Sequence, residues 1–298
     1  MVKLTIFTPT FNRGYIIHNL YNSLKNQSNF NFEWLVVDDG SSDNTHELFN
    51  KWICDTNPFK IRYYKKENGG KHRAVNLGLD LAQGEYFFVV DSDDTITTDA
   101  VEKLINWMDE IKDSDTIMGI VANRGYSPTE TINKFFKEDY LDLPLLECNY
   151  YKQDGEFVLN GERALCFKTD FHRKYKYPEF KNEKFVTEAI AWNRMSNDGY
   201  LMRFYNDIIW VFEYLEDGYT KSGNQLYLNN PHGYGLWFKE LDKFRNQNII
   251  NRLKTYYWFT CELMTKYNDK IIAESIDIPV ILVKTLKLIH KIISLIRK

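Results

Sequence analysis

The chain has 298 residues, 44% hydrophobic, 27% charged and 16% aromatic, which excludes a low-complexity or disordered polymer and allows one large core or a core with an appendage. A formal net charge of only −3 excludes a general nucleic-acid coat. The four cysteines, Cys54, Cys148, Cys166 and Cys261, form no CxxC pair and lie among apolar or aromatic neighbours, so reduced, packed thiols in a cytosolic protein are expected.

The opening, "MVKLTIFTPT", has no basic leader followed by a long apolar run and reads as a first strand, Lys3–Phe7, broken by "TPTFNRG". Ile16, Ile17, Leu20 and Leu24 then recur at helical spacing. A second strand, Glu33–Val37, stops at "DDGSSDN", where Asn44 with Glu47 resembles a capping box. Ile61–Tyr64 is a third strand, followed by "NGGK" and a helix over Ala74–Ala82. Tyr86–Val90, apolar throughout, is a fourth strand covered on both faces. It ends at "DSDD", and Val101, Leu104, Ile105, Met108 and Ile111 mark an amphipathic helix behind Asp99.

Strands alternating with helices predict an α/β fold with a mostly parallel sheet and right-handed crossovers. Ligands in such sheets bind beyond the carboxyl ends of the strands. The segments Thr8–Gly14, Asp38–Asp43, Asn68–Lys71 and Asp91–Asp94 each follow a strand, so all should gather on one edge. In the last of them, carboxylates ~5 Å apart repel by roughly 3 kcal/mol at an effective dielectric near 20. Water at an exposed turn or a bound cation would offset that. A solvated turn accounts for one acidic cluster but not for acids, Asn and Lys capping neighbouring strands. Paired Asp side chains such as Asp91 and Asp93 suit Mg²⁺ or Mn²⁺ with phosphate co-ligands. There is no zinc-type His/Cys cluster, no GxxxxGK[ST], and no GxGxxG after the first strand.

"TPTFNR", "VVDDGSSDNT", "ENGGKHRAVNLGL", "GEYFFVVDSDD" and "EAIAWNR", in this order and spacing, resemble the family 2 inverting glycosyltransferases over the first ~215 residues. The resemblance implies the GT-A fold, a Rossmann-like, mostly parallel sheet flanked by helices, here with a helical C-terminal extension. It implies that Asp39 contacts the nucleotide base, uracil in many members. Pro9, Thr10, Phe11, Asn12, Arg13, Asp38, Asn68 and Lys71 would frame the nucleotide-sugar pocket. Asp91, Ser92 and Asp93 occupy the metal-and-diphosphate motif, with Asp93, and Asp91 beside it, holding Mn²⁺ or Mg²⁺. Plainer readings stay open: Asp38 and Asp39 as turn and cap residues, Asn12 as a loop tie, Lys71 as a solvated charge.

Inverting transfer needs a base within about 3 Å of the acceptor hydroxyl, and a carboxylate is a usual choice. The family places an acidic pair six or seven residues before a helical Arg. In "TEAIAWNR" that position is Glu188, with Thr187 replacing its partner and Glu183 a nearby competitor. The alternative is a helix-start acid favoured by the dipole.

Residues from about 125 to 185 are rich in Tyr, Phe, Lys and Glu, with a strand at Arg163–Thr169, and suit an acceptor cleft. "YLMRFY" and "IIWVFEYL" read as closing strands, and Glu216–Asn224 as a loop whose Thr220, Lys221 and Ser222 close over the diphosphate or simply face solvent. From about Leu236 the pattern is helical. The end, "IPVILVKTLKLIHKIISLIRK", carries five Lys/Arg and no acid, as does a helix lying on an anionic membrane or one packed on protein. The expected division is 1–215, a glycosyltransferase domain with halves at about 1–122 and 123–215, and 216–298, the extension. The expected function is metal-dependent transfer from a nucleotide diphosphosugar, by resemblance a UDP-sugar, to a glycan or lipid-linked acceptor in bacterial surface polysaccharide synthesis. The expected location is cytoplasmic, on the inner face of the plasma membrane, with no nucleic-acid partner. The alternatives are a sugar nucleotidyltransferase, which would need a Gly-rich loop after the first strand, a glycoside hydrolase, or an inactive membrane-associated sugar-nucleotide-binding module.

Overall fold

The structure is a computed structural model that describes residues 2–212 and 223–296. The expected Glu216–Asn224 loop, with Thr220, Lys221 and Ser222, lies almost wholly outside the described residues.

The first strands and helices alternate as β1 (Leu4–Thr10), α1 (His18–Lys25), β2 (Phe32–Asp38), α2 (Thr45–Cys54), β3 (Lys60–Lys65), α3 (Lys71–Leu81) and β4 (Tyr86–Val89). They continue with β5 (Thr95–Ile96), α4 (Ala100–Ile111), β6 (Ile117–Ser127), β7 (Glu130–Thr131), β8 (Leu141–Leu143) and α5 (Leu145–Cys148). A small hairpin, β9 (Lys152–Gln153) and β10 (Glu156–Phe157), precedes β11 (Arg163–Lys168), α6 (Thr169–Arg173), α7 (Ala189–Asn197) and β12 (Leu201–Val211).

A ten-stranded sheet runs β3-β2-β1-β4-β11-β6-β12-β5, with β7 on β6 and β8 on β12. β3, β2, β1 and β4 are parallel. β11 enters antiparallel between β4 and β6, and β12 returns parallel to β6. The chain builds outward from β1 to β3 and then places β4 on the other side of β1. The gap beyond β1 and β4 is therefore a topological switch point, where open α/β sheets bind ligands. Every residue of β1 and β2 is buried, and a buried polar group among them is paired: Glu33 accepts from the Thr5 hydroxyl at 2.8 Å and from Arg62 at 2.9 Å. Between those layers Tyr21 stacks on Trp52 at 4.3 Å and Trp34 meets Phe49 at 5.2 Å.

Four local expectations change. β1 continues past Phe7 to Thr10 because Thr8, Pro9 and Thr10 keep pairing with β2, whereas the β4 ladder ends at Phe7–Val89, before the proline that cannot donate. The two closing strands are one, β12, with register shifts near Phe204–Ile208. The Asn44 capping box does not form: Asn44 has φ −76° and ψ 13°, not the extended backbone of a capping residue. Asp43 replaces it, its Oδ1 accepting from the Thr45 amide and hydroxyl at 3.1 and 2.6 Å. Cys166 is buried, but Cys54, the last residue of α2, is exposed; all four thiols are free.

Met1–Lys176 with Arg194–Leu215 form one compact unit, and Tyr177–Asn193 with Glu216–Lys298 a second. The second contains helices Asn224–Leu228, Pro231–Phe244, Ile249–Leu263, Asp269–Ile276 and Val280–Ile296. Asn248 and Asn268 cap two of them, accepting from the Asn251 and Ile271 amides at 2.9 and 3.0 Å. Phe259, Leu263, Ile272, Ala273, Ile276 and Val283 form the core of this unit. The Val280–Ile296 helix buries Val283 and Leu286 yet leaves Ile281, Leu288, Ile292 and Leu295 at 70%, 59%, 48% and 73% exposure. It is apolar on both sides, so packing on protein uses up only one of them. Among the described residues no helix is long and apolar enough to cross a membrane.

Candidate functional site

The loops after β1 and β2 are tied to each other. Asn12, at φ +52°, donates its backbone N–H to Ser41 Oγ and accepts from the Ser42 amide, both at 2.8 Å. The Gly14 amide donates to Asp43 Oδ2 at 2.8 Å. Burial pushes the Asp43 carboxyl up, but the Thr45 and Gly14 donors outweigh this and hold it below its ordinary value. Asp38 is wholly buried: Oδ1 accepts from the Ser41 amide at 2.7 Å and Oδ2 from the Tyr63 hydroxyl at 2.5 Å. Burial, then Asp38, raises the Tyr63 phenol far above its ordinary range, so it stays a donor. Asn12 and Asp38 thus fix the shape of the two loops they tie together.

Asp39 is the hub. Its Oδ1 receives the Lys66 ammonium at 2.6 Å and the Gly69 amide at 2.9 Å. Its Oδ2 receives the Gly70 amide at 2.7 Å and the Asn68 side chain at 3.2 Å. A carboxylate offers about four lone-pair sites, and all are matched. Gly70 reaches this position at φ +98°, where a side chain would be strained. Gly40, at φ +89°, has no room for a Cβ, which would lie 2.9 Å from the Asn68 amide.

At the end of β4 the acids meet cations of the protein itself. Lys71 lies 2.7 Å from Asp91, Arg13 lies 3.8 Å from Asp93, and Arg124 lies 2.9 Å from Asp94. Burial drives Asp91 up, but Lys71, with Arg124 and Arg13 behind it, holds it below its ordinary value. Asp93 is raised by burial and by Asp91, with Arg13 too distant to compensate. Asp94, 5% exposed, also accepts from Trp210 Nε1 at 2.8 Å; burial and Asp91 push it up to about 7 against Arg124. Cations of the protein itself offset part of the crowded charge: Arg13 from the loop after β1, Lys71 from the start of α3 and Arg124 from β6.

A divalent ion fits this donor set. Asp93 keeps excess negative potential, and its neighbour Asp91 has a displaceable ammonium partner. Among the described residues no three His, Cys, Asp or Glu side chains form a ready metal cage. With only these carboxylates, an ion there would take its remaining ligands from phosphates and water.

The structure therefore brings Pro9–Arg13, Asp38, Asp39, Asn68, Lys71 and Asp91–Asp93 to one edge. Ser92 is buried there, Phe11 is 46% exposed, and Thr10 Oγ1 is buried with no partner among the described residues. Lys66, Tyr63, Arg124 and Trp210 were missed. Lys66, two residues before Asn68, had a faint signal; Arg124 and Trp210 arrive from β6 and β12 and had none. Two clefts of about 300 and 310 Å³ lie elsewhere, at Phe238–Thr255 and Lys134–Val158. The chemistry of the converging loops is what marks the edge.

Glu188 belongs to the second unit. It immediately precedes α7, its carbonyl accepting from Ala191 and Trp192 amides at 3.1 and 3.4 Å. Its competitor Glu183 is committed: 5% exposed, it accepts from the His232 amide at 2.8 Å, His232 Nδ1 at 2.7 Å and the Gly233 amide at 2.9 Å. The two amides are orphan donors at the start of the Pro231–Phe244 helix, so Glu183 caps that helix.

The model of glycosyl transferase family 2 matches residues 5–195. Glycosyltransferase GlyG of Streptococcus pneumoniae serotype 4 is 33% identical over 215 residues, 70% of either chain. Chondroitin synthase of Pasteurella multocida is 27% identical over 249 residues, which is 83% of this chain but 20% of that one. Staphylococcus aureus TarS 1–349, solved with UDP-GlcNAc, superposes over 97% of this chain and 91% of its own with a TM-score of 0.62 at 16% identity, a likeness of fold.

Proposed function

The chain belongs to glycosyl transferase family 2, and on that premise we propose that it moves a sugar, with inversion, from a uridine diphosphosugar to a hydroxyl of a glycan or lipid-linked acceptor. One observation carries the reading: Asp91 and Asp93, with Lys71 and Arg13 at 2.7 and 3.8 Å, lie at the sheet's switch point beside the Asp39 hub. The uridine donor is supported by the Asp39 loop and by the ligand of the TarS structure. A glycan acceptor in surface polysaccharide synthesis is supported by the names of the relatives, though the chain spans only a fifth of the chondroitin synthase.

In this reading Pro9–Arg13, Asp38, Asp39, Asn68 and Lys71 frame the nucleotide, with Lys66 giving up one Asp39 oxygen to the base. Asp93 and Asp91 would hold Mn²⁺ or Mg²⁺, which when bound neutralises diphosphate charge. Glu188 takes the acceptor proton as the new bond forms from the acceptor oxygen to the anomeric carbon. The bond from that carbon to the phosphate oxygen breaks on the opposite face, and the nucleoside diphosphate leaves with its electron pair. Lys71 and Arg13 place fixed positive charge where that negative charge develops. Residues 1–215 carry the transferase and 216–298 the extension. The outward face of the last helix, with Lys284 and Lys291 exposed, rests on the anionic inner surface of the plasma membrane.

A panel of radiolabelled nucleotide sugars with Mn²⁺ tests this through slow donor hydrolysis without acceptor. One uridine diphosphosugar should turn over above the rest. A folded protein that takes up no nucleoside diphosphate with Mn²⁺ or Mg²⁺ by calorimetry would overturn it.

A further inference from the structure

The turn between helices Pro231–Phe244 and Ile249–Leu263 is built tightly. Asn246 takes φ +49°, the Asp242 carbonyl accepts from the Gln247 amide at 3.1 Å, and Asn248 caps the second helix. Beside this turn lies the cleft of about 300 Å³, lined among others by Phe238, Asp242, Arg245, Gln247, Asn251 and Thr255. Asp242 is 7% exposed, and its only bond among the described residues is a long one, from Thr255 to Oδ1 at 3.4 Å. Its Oδ2 is buried with no partner at all among them. A buried acceptor left without a donor is unfavourable, and nothing in the turn geometry requires an acid there.

The surroundings select the chemistry of what would fill it. Burial raises the Asp242 carboxyl, and the Thr255 bond with the Arg252 and Arg245 charges only partly oppose this. Those two guanidiniums disfavour a metal ion or an amine, while the carboxyl disfavours an anion. A neutral ligand bearing hydroxyl donors is left. Asn251 Nδ2 donates to Gln247 Oε1 at 3.0 Å, which leaves the Gln247 nitrogen and the Asn251 oxygen as one donor and one acceptor for such a ligand. Phe238 offers an apolar ring edge, and the volume, at the low end for ligand pockets, holds a single ring.

We propose that this cleft is a second binding site, for one residue of a neutral saccharide, with Asp242 Oδ2 accepting from its hydroxyls. It rests on the reading that the protein handles glycans, and it assigns the helical extension a part in holding the acceptor chain, separate from the reaction.

The test is direct binding, without turnover. The full chain is titrated with neutral oligosaccharides of glucose, galactose and N-acetylglucosamine, two to six units long, and followed by saturation-transfer NMR. At least one should bind saturably, and Asp242→Leu should weaken it tenfold or more. Hydrolysis of the nucleotide sugar should be unchanged in the same variant. Should Asp242→Leu fail to fold by circular dichroism, the Gln247→Ala, Asn251→Ala double variant replaces it with the same expected loss. No binding by any oligosaccharide, binding indifferent to these substitutions, or competition by Mn²⁺ alone would overturn the proposal. Failure of donor hydrolysis with intact saccharide binding would instead sink the transferase reading and leave this one standing.

Discussion

The strand-end edge of the first unit and the helices of the second solve opposite problems. At the edge nearly every charge already has a partner: four donors on Asp39, a cation near each of Asp91, Asp93 and Asp94. In the helices Asp242 Oδ2, Trp237 Nε1 and Thr260 Oγ1 are buried without partners among the described residues, and Ile281, Leu288, Ile292 and Leu295 face solvent. The first arrangement is preorganised for charge that develops during a reaction. The second leaves the Asp242 acceptor beside a cleft and one apolar face of the last helix uncovered. Substitutions at the edge, or at the proposed base Glu188, should change turnover but not location, and substitutions on the helices after Asn224 the reverse.

The largest effect should come from Glu188→Gln. Loss of a general base costs about 10²–10⁴-fold, so transfer should fall by about 10³-fold, while calorimetry shows nucleoside diphosphate affinity within about twofold. Normal turnover would remove Glu188 from the chemistry and leave it a helix-start acid. Asp93→Asn should come next, lowering transfer by about 10²-fold and also weakening metal-assisted nucleotide binding, which Glu188→Gln does not. Membrane sedimentation should be unchanged in both. On the helices, Leu288→Glu with Ile292→Glu should shift the protein from pellet to supernatant and cut binding to anionic vesicles by about tenfold or more. Donor hydrolysis should hold. Equal vesicle binding by the variant would mean the outward face has another occupant.

The edge was legible because its signals are local. Apolar runs stopped by "TPTFNR", "DDGSS" and "DSDD" locate the ends of β1, β2 and β4, and parallel order then puts those ends together. What was not legible depends on partners remote in sequence. β11 inserts antiparallel between β4 and β6, pairing Cys166 with Phe88 and with Ile120, and no residue of "RALCFKT" announces that. Arg124 reaches Asp94 from another strand. Glu183 is held by His232 and Gly233, about fifty residues on, and nothing near Glu183 in the sequence signals those partners. The last helix read as one apolar face with lysines. That it has two, one packed and one bare, follows only from what covers it.

The smallest effect concerns the core of the first unit near the start of β4, the end away from the acids, and it tests whether stability there is separable from the chemistry of the edge. His172 in α6 is buried against Phe87 and Phe167, with ring centres 5.8 and 4.6 Å away, and burial pushes its pKa down to about 3. The unfolded chain regains an ordinary value near about 6.5, so between those values it binds the extra proton. Stability from this residue is therefore complete above about 6.5 and is lost as pH falls toward 3, by up to about 1.4 kcal/mol per pH unit. Asp94, raised to about 7 in the fold, works the other way, binding its proton more tightly when folded over much of the same window. The raw slope of stability against pH thus mixes both. The informative quantity is the difference between the wild type and His172→Gln in urea midpoints taken from pH 7.5 to 5. The variant should be less stable at pH 7.5, from lost packing, and should close that gap as pH falls. A gap that stays constant would mean His172 is not held neutral by the fold.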